Sequence, residues 1–346
     1  MRLLTVAMAL SVPLLMPASG AHAAPSSPAW EPVPVATTQG FRGLAAVDAQ
    51  TAWVSGSAGG VWRTSDGGAS WQDVSPAGTE GMAFRDIEVQ PGGERASVLA
   101  IGEGEDSRIY TTGDGGASWE LAFVNEEPHA FYDCMDFFAG GRRGLAMSDP
   151  VDGKFRIAAT YDGGHSWSVL PDAGMPDAVP GEFGFAASGT CLVTAGARDA
   201  WFASGGAASR IFHTRDAGLT WEVTDAPLPA GDTSGVYSLA FRNPRQGVAV
   251  GGDFLAPSAG VVAGLSRDGS SWQAGGAPAG YRSGVDFVYG APATLIAVGP
   301  TGSDLSTDGG ATWSTFDTVR YDAVQCTPDG SCWASGPGGT VARLAR

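Results

Sequence analysis

The chain has 346 residues, 52 of them glycine, and a formal net charge of −16. Charged residues make up 16% of it, against about 25% in an average soluble protein. The acidic balance excludes electrostatic binding to nucleic acid, because such binding needs a basic patch. Aromatic residues at 10% favour a packed core over disorder or a coiled coil. Many glycines, few charges and 11 tryptophans are typical of short strands joined by tight turns.

The first residues have the features of a secretory signal peptide. Arg2 precedes an apolar run from Leu3 to Met16, and Ala21-His22-Ala23 fits a small-x-small cleavage pattern. The apolar run is shorter than the ~20 residues of a membrane-spanning helix. We therefore predict a signal peptide over residues 1–23 and one domain over residues 24–346. The mature protein is expected to be secreted or periplasmic, monomeric and without a membrane span.

Export permits disulfides, and the chain contains four cysteines. Cys326 and Cys332 flank the turn-forming stretch Thr-Pro-Asp-Gly-Ser, so a hairpin can bring them within bridging distance. Cys134 and Cys191 either form a second disulfide or remain as buried free thiols. No Cys-x-x-Cys pair occurs, so zinc-ribbon and thioredoxin chemistry have no support in the sequence.

Six stretches repeat one pattern, in which Asp follows two residues after Ser or Thr and the stretch ends in Trp. The aspartates are Asp66, Asp114, Asp162, Asp216, Asp268 and Asp308. Their separations of 48, 48, 54, 52 and 40 residues match the period of propeller blades. The carboxylate can accept backbone N–H bonds within a tight turn, and the tryptophan can bury apolar area between blades. We therefore expect all six aspartates to be structural.

A second repeat precedes these turns, as in Ala52-Trp53-Val-Ser-Gly56 and Cys332-Trp333-Ala-Ser-Gly336. The last copy is followed by Gly339–Leu344 and then the chain stops, which leaves three strands for that blade. The apolar segment Trp30–Val35 can supply the fourth strand and remove the open edge. The sequence thus predicts an all-β fold, a single seven-bladed β-propeller in which the N-terminal strand joins the C-terminal blade.

With these motifs the chain resembles the Asp-box (BNR) β-propellers, which include sialidases and the photosystem II stability/assembly-factor-like proteins. The whole-chain resemblance is closest to the second group, and it implies a non-enzymatic scaffold that presents one face to a partner. Nothing in the sequence indicates a photosynthetic host, so that specific role is not carried over. Proteins of this kind are often labelled oxidoreductases. No dinucleotide-binding, haem-attachment or metal-binding motif supports that label here, and no cofactor or metal is expected.

In a propeller, the loops before the innermost strands and those between the second and third strands converge at one mouth of the channel. Alignment of the blades places Arg42, Arg85 and Arg282 at one equivalent position, with Tyr132, Ser188, Tyr237 and Tyr321 in the other blades. Arginine suits a carboxylate, sulfate or phosphate through bidentate contacts. The predicted ligand-binding residues are Arg42, Arg85, Tyr132, Asp133, Asp149, Lys154, Glu182, Ser188, Arg210, Tyr237, Asp253, Tyr281 and Arg282.

Three alternatives remain open for this face. It could bind a protein partner or an acidic oligosaccharide, or its polar groups could merely hydrate the channel mouth. It could also belong to a glycoside hydrolase or lyase, with Asp133, Asp149, Glu182 and Tyr132 as candidate catalytic residues. A true sialidase is not expected, because Phe155-Arg156-Ile157-Ala158 lacks the proline of the Phe-Arg-Ile-Pro signature. The arginines either pair with the carboxylates or await an anion.

Overall fold

A computed structural model describes residues 28–345, so the predicted signal peptide lies outside the described residues. The described residues form seven antiparallel sheets. This arrangement confirms the predicted all-β, seven-bladed propeller. Two short 3-10 turns, Gly104–Asp106 and Asp172–Gly174, are the helical segments of the described part. No helix within residues 28–345 is long and apolar enough to cross a membrane.

Each blade is a four-stranded meander around the channel. From the axis outwards, the strands are β2 (Phe41–Ala46), β3 (Ala52–Gly56), β4 (Val61–Thr64) and β5 (Gln72–Asp73) in blade 1; β6 (Ala83–Val89), β7 (Ala96–Ile101), β8 (Arg108–Thr112) and β9 (Glu120–Val124) in blade 2; β10 (Tyr132–Phe137), β11 (Gly144–Val151), β12 (Lys154–Thr160) and β13 (Ser168–Val169) in blade 3; and β15 (Leu192–Ala195), β16 (Asp199–Ala203), β18 (Arg210–Thr214) and β19 (Glu222–Asp225) in blade 4. The remaining strands are β20 (Gly231–Asn243), β21 (Gln246–Asp253), β22 (Gly264–Ser266) and β23 (Gln273–Ala274) in blade 5; β24 (Gly284–Phe287), β25 (Leu295–Gly299), β26 (Gly302–Ser306) and β27 (Ser314–Asp317) in blade 6; and β28 (Ala323–Cys326), β29 (Cys332–Ser335), β30 (Val341–Leu344) and β1 (Trp30–Pro32) in blade 7. Two short strands, β14 (Glu182–Phe183) and β17 (Gly205–Gly206), extend the blade 5 sheet from β20.

The repeated aspartates hold their turns by the same set of hydrogen bonds. Asp66 Oδ1 accepts from the Thr64 hydroxyl at 2.8 Å and the Ser70 N–H at 2.9 Å, and the Ser70 hydroxyl donates to Oδ2 at 2.6 Å. These bonds, led by the one from the Ser70 side chain, lower the pKa of Asp66 to about 2. The fifth turn is one residue shorter. Its Gly269 N–H donates to the hydroxyl of Ser266, three residues earlier, whereas in the other turns the glycine N–H donates to a hydroxyl four residues earlier. The aspartates therefore act locally, within their own turns.

Tryptophan side chains join neighbouring blades. Trp53 of blade 1 meets Trp119 of blade 2 edge-on with ring centroids 6.4 Å apart, and Trp71 meets Trp333 of blade 7 at 6.3 Å. Trp53 and Trp333 are wholly buried. Such pairs add specific geometry to the large apolar area that each ring removes from water. The tryptophans of the two sequence repeats thus form part of the interface between blades.

Carboxylates on the inner strands also link the blades. Asp86 accepts a hydrogen bond from the Met135 N–H at 2.7 Å, and Asp136 accepts one from the Thr194 N–H at 2.5 Å. Asp286 likewise accepts from the Cys326 N–H at 2.7 Å. In each case the N–H belongs to the next blade. Burial raises the pKa of Asp136 and of Asp286 to about 7.

The two ends of the described chain lie in one blade. β1 pairs antiparallel with β30, with Trp30 opposite Leu344 and Pro32 opposite Ala342. The pairing continues beyond β1, because the Val35 N–H donates to the Gly339 carbonyl at 2.9 Å. This arrangement is consistent with the predicted closure of the ring by the N-terminal strand.

Both disulfides are present. Cys326–Cys332 joins β28 to β29 within blade 7. Cys134–Cys191 joins β10 of blade 3 to the residue just before β15 in blade 4. The described residues contain no free cysteine. The alternative of buried free thiols at Cys134 and Cys191 is therefore wrong.

The two disulfides should differ in their contribution to stability. They close loops with sequence separations of 57 and 6 residues. The loop-entropy relation then predicts a loss of about 4 kcal/mol for Cys134→Ala with Cys191→Ala, and about 2 kcal/mol for Cys326→Ala with Cys332→Ala. Denaturant unfolding of the two double variants measures both values. Equal losses would contradict a loop-length effect.

The protein should lose stability as the pH rises towards 8. Burial raises the pKa of Asp286 to about 7 in the folded protein, so folding favours the protonated form. Its contribution is fully present below the unfolded pKa of about 4 and is lost as the pH rises through 7. The free energy of unfolding should fall between pH 5 and pH 8, and we expect this fall to be roughly 2 kcal/mol smaller in Asp286→Asn than in the wild-type protein. Urea unfolding at several pH values tests this, and an unchanged slope in the variant argues against it.

Candidate functional site

A cavity of about 400 Å³ opens at the predicted mouth of the channel. We call it the mouth pocket; its lining includes Arg42, Phe185, Tyr237, Tyr281, Arg320 and Asp322. The cavity is concave, partly aromatic and carries a few charged groups, as ligand sites generally do. These residues come from four blades and from the connection between blades 3 and 4.

One wall of the mouth pocket is aromatic. Phe185 stacks on Tyr237 with ring centroids 3.9 Å apart, and Tyr281 meets Tyr237 edge-on at 4.7 Å. The Tyr237 hydroxyl donates to the Thr233 carbonyl at 2.8 Å. Burial raises the pKa of both tyrosines. This wall therefore stays uncharged and suits an apolar or aromatic group of a ligand.

Cationic side chains also line the mouth pocket. The half-buried Arg42 donates from Nη1 to the Ala187 carbonyl at 3.2 Å and forms no ion pair within residues 28–345. Arg320 Nη2 lies 3.3 Å from Asp322 Oδ1, and 47% of the Arg320 side chain is exposed. Two cations thus face one carboxylate in a protein of net charge −16.

The backbone of Phe183–Ala187 lies across the channel mouth, and we call it the crossing segment. Its carbonyls accept from Arg42 of blade 1 and, at Ala186, from Arg85 Nη1 of blade 2 at 3.4 Å. The Gly184 N–H donates to Asp149 Oδ1 of blade 3 at 2.6 Å. The crossing segment therefore meets three blades through its backbone and blade 5 through Phe185.

The residues that flank the crossing segment are anchored. The Glu182 carboxylate is wholly buried, forms an ion pair with Arg210 and accepts from the Ser204 hydroxyl at 2.5 Å. On the other side the Ser188 hydroxyl donates to the Ser283 carbonyl of blade 6 at 2.6 Å. Glu182, Arg210 and Ser188 thus hold the connection in place and do not line the mouth pocket.

Asp133 and Asp149 meet beneath the crossing segment. Burial, followed by the charge of Asp149, holds the pKa of Asp133 well above its usual range. Burial raises the pKa of Asp149 to about 6, against the opposing bond from Gly184. A Cβ atom on Gly184 would lie 2.8 Å from Asp133 Oδ2, so a side chain at this position would displace the carboxyl.

The strand register places the predicted residues differently from the sequence alignment. Arg42, Arg85, Asp133 and Tyr237 are the bulged residues of β2, β6, β10 and β20. In β24, Gly284 pairs with Val298 in the same way as Gly43 of β2 pairs with Ser55. Arg282 lies two residues before Gly284, so it is equivalent to Phe41 and not to Arg42. The expected position of Arg282 is therefore wrong.

Arg282 is wholly buried and paired. Its Nε donates to Asp304 Oδ2 at 2.8 Å, and Nη2 lies 2.7 Å from the same oxygen. Tyr132 is also wholly buried, among apolar residues of blades 2 and 3, and Tyr321 packs against Trp30 with ring centroids 5.5 Å apart. None of these three side chains lines the mouth pocket.

Five other predicted residues lie outside the pocket lining: Arg85, Asp133 and Asp149, which lie against the crossing segment, and also Lys154 and Asp253. Lys154 donates to the Met175 carbonyl at 2.9 Å, at the outer side of blade 3. Asp253 accepts from the Thr233 hydroxyl at 2.7 Å, beside the rim residue Phe254.

The sequence alignment missed Phe185, Arg320 and Asp322 as pocket residues. Asp322 is equivalent to Arg42, because β28 pairs Ala323 with Ser335.

No protein-family model and no curated protein matches the chain. Several solved structures have a similar fold. YCF48 bound to D1 peptide is 16% identical, with a TM-score of 0.64 over 96% of this chain and 100% of that one. YCF48 from Cyanidioschyzon merolae is 14% identical, with a TM-score of 0.64 over 91% of this chain and 98% of that one. An ancestral GH74 enzyme is 14% identical, with a TM-score of 0.65 over 92% of this chain and 46% of that one. At these identities the likeness shows the propeller fold alone.

Arg282 should contribute to stability and not to binding. Arg282→Ala leaves the buried Asp304 carboxylate without its cation, which typically destabilises a protein by about 3–5 kcal/mol. The double variant Arg282→Met with Asp304→Asn should regain part of that loss, because no unpaired buried charge remains. Denaturant unfolding measures both. An Arg282→Ala protein of wild-type stability would contradict the ion pair.

Proposed function

We propose that the protein is an exported binding scaffold whose mouth pocket takes a peptide segment of a partner protein. The segment would carry a carboxylate next to an aromatic or apolar side chain. The observation that carries this proposal is the juxtaposition of Arg42, which has no ion pair within the described residues, with the wall of Phe185, Tyr237 and Tyr281.

The charges of the pocket support an anionic ligand. Arg42 uses Nη1 for the Ala187 carbonyl, which leaves its other donors for a carboxylate. Arg320 is half-exposed and can turn towards the pocket while it stays near Asp322. The surrounding protein is acidic, so the pocket is a local exception that favours an acidic group.

Two further observations fit this proposal. One structure of similar fold is YCF48 bound to D1 peptide, so a propeller of this shape can hold a peptide. The two disulfides and the lack of a membrane-crossing helix in residues 28–345 fit a secreted or periplasmic protein. An acidic oligosaccharide remains the other ligand class with a suitable charge.

The geometry gives less support to a carbohydrate-active enzyme. Asp133 is 2% exposed, and Asp149 accepts the N–H of Gly184 in the crossing segment. A general acid must reach the glycosidic oxygen, but the Asp133 carboxyl is buried and the half-buried Asp149 is bonded to the Gly184 N–H. Glu182 is occupied by Arg210, and Tyr132 is buried between blades.

An array of short peptides tests the proposal. Each member carries Glu or Asp beside an aromatic residue and is printed with its Gln or Asn counterpart. We expect selective retention of acidic members. Arg42→Gln should weaken binding of the best member by about 1.5–3 kcal/mol in calorimetry, the range of a hydrogen bond to a charged group. Arg198→Gln, an exposed residue in the turn before β16, is the matched control and should bind normally.

Equal retention of acidic and amide members would reject the proposed ligand class. Incubation of the protein with hyaluronate and alginate oligosaccharides tests the enzyme alternative. Product formation that Asp149→Asn abolishes, with folding intact, would replace the scaffold by an enzyme.

A further inference from the structure

The connection between β21 and β22 in blade 5 is longer than its counterparts, and we call it the blade 5 lip (residues 254–263). It contains ten residues, whereas the connections between the second and third strands of the other six blades contain two to six. Two of its residues, Phe254 and Pro257, line the mouth pocket. Long loops held beside a cavity by a rigid scaffold commonly carry binding residues. The lip is therefore a candidate extension of the pocket.

The lip presents two apolar side chains to solvent. Leu255 is 73% exposed, the highest value among the large hydrophobic residues of the described chain, and Phe254 is 46% exposed. On another side of the pocket, Val319 is 48% exposed and directly precedes the lining residue Arg320. Single exposed apolar residues are ordinary, but several of them around one cavity are typical of an interaction site. The mouth pocket thus has an apolar border.

The lip is held by hydrogen bonds on both sides of its exposed residues. At its start, Asp253 Oδ1 accepts from the Thr233 hydroxyl at 2.7 Å and from the Leu255 N–H at 2.9 Å. Further along, the Pro257 carbonyl accepts from the N–H of Tyr281, a pocket residue, at 2.9 Å. The backbone around Phe254 and Leu255 is therefore ordered before any ligand binds, which reduces the entropy lost on binding.

Charge argues against two occupants of this surface. A second copy of the protein, related by a two-fold axis, would bring Arg42 and Arg320 of both copies to one interface, where like charges repel. A membrane rich in anionic lipid would repel a protein of net charge −16. A segment of a partner chain has neither difficulty, since its acidic residue complements the arginines.

The size of the surface also favours a segment. A stable interface between folded proteins uses about 20–30 residues on each side. The lip offers two exposed apolar side chains beside one cavity of about 400 Å³. A bound peptide, by contrast, needs only a few anchoring side chains, each in its own pocket or on its own apolar surface.

We propose that the blade 5 lip is an apolar subsite for the peptide that the mouth pocket binds. The peptide then carries an acidic residue for Arg42 and, two to four positions away, an aliphatic residue for Phe254 and Leu255. An extended chain covers about 7–14 Å over two to four residues, enough to leave the cavity. The subsite rests on the function proposed above for its peptide ligand and adds the second residue by which a partner is selected.

A second peptide array, followed by calorimetry, tests the subsite. Each member contains the pair Glu-Phe in a Ser-Gly background, with one Leu placed one to six positions before or after the Glu. Each is compared with its Ser counterpart. We expect Leu at one or two of these positions, two to four residues from the Glu, to raise the affinity about five- to tenfold, because part of the side chain leaves water on Leu255.

Variants of exposed leucines assign this gain to the lip. In Leu255→Ser the ratio of affinities between the Leu member and its Ser counterpart should fall to about one, whereas Leu255→Met should keep it. Leu219→Ser is the matched control, because Leu219 is 53% exposed in the aspartate turn of blade 4 and lies outside the pocket lining. This control should keep the full ratio.

The outcomes separate the subsite from the proposed function. Retention of acidic members without a gain from Leu, or a gain that survives in Leu255→Ser, would overturn the lip subsite and leave the proposed function standing. Leu members that bind equally with Glu or Gln, and lose their gain in Leu255→Ser, would keep the subsite and reject the acidic ligand class. Absence of binding to every member would overturn both.

Two further measurements test the other occupants. A dimer in analytical ultracentrifugation that Leu255→Ser dissociates would assign the lip to a second copy of the chain. Flotation with vesicles of phosphatidylcholine and phosphatidylglycerol that is lost in Leu255→Ser would assign it to a lipid surface. Either result would overturn the peptide subsite, and we expect a monomer that does not float in both proteins.

Discussion

Every blade of this propeller has two faces that must be buried against its neighbours, and the rest of the molecule depends on that stacking. Wholly buried side chains such as Trp53, Trp201 and Trp333 lie between blades, so that each sheet is stable only within the ring. The ring in turn brings loops from blades far apart in sequence to one point. Arg42 and Arg320, for example, line the same cavity although 278 positions separate their numbers. The mouth pocket is thus a consequence of how the blades pack.

The parts of the fold that could be predicted from the sequence are those with local causes. The aspartate turns need only the residues of one repeat, as the bonds around Asp66 illustrate, and their period sets the number of blades. The Cys326–Cys332 disulfide closes a short hairpin for the same reason. The pairing of Cys134 with Cys191 remained open in the sequence because it depends on the contact between blades 3 and 4.

The position of individual side chains could not be predicted, because it depends on strand register. A bulge in β2 turns Arg42 towards the channel mouth, since an extra residue re-aims the side chain. β24 begins at Gly284, and Arg282 lies one position away from the equivalent of Arg42. A shift of one residue moves a side chain to the other face. Two arginines in similar sequence contexts therefore have opposite environments: one buried against Asp304, the other at a cavity.

The crossing segment was least accessible to sequence reasoning, since its partners lie in four blades and no repeat contains it. Its small residues allow the backbone to lie close to charged side chains, as at Gly184 beside Asp133. This placement has a consequence for recognition. A partner that binds in the mouth pocket shares Arg42 with the protein's own Ala187 carbonyl. An external carboxylate, which carries a full charge, binds a guanidinium more strongly than a neutral carbonyl does. The internal contact therefore keeps the arginine oriented in the unliganded protein without preventing its exchange for a stronger acceptor.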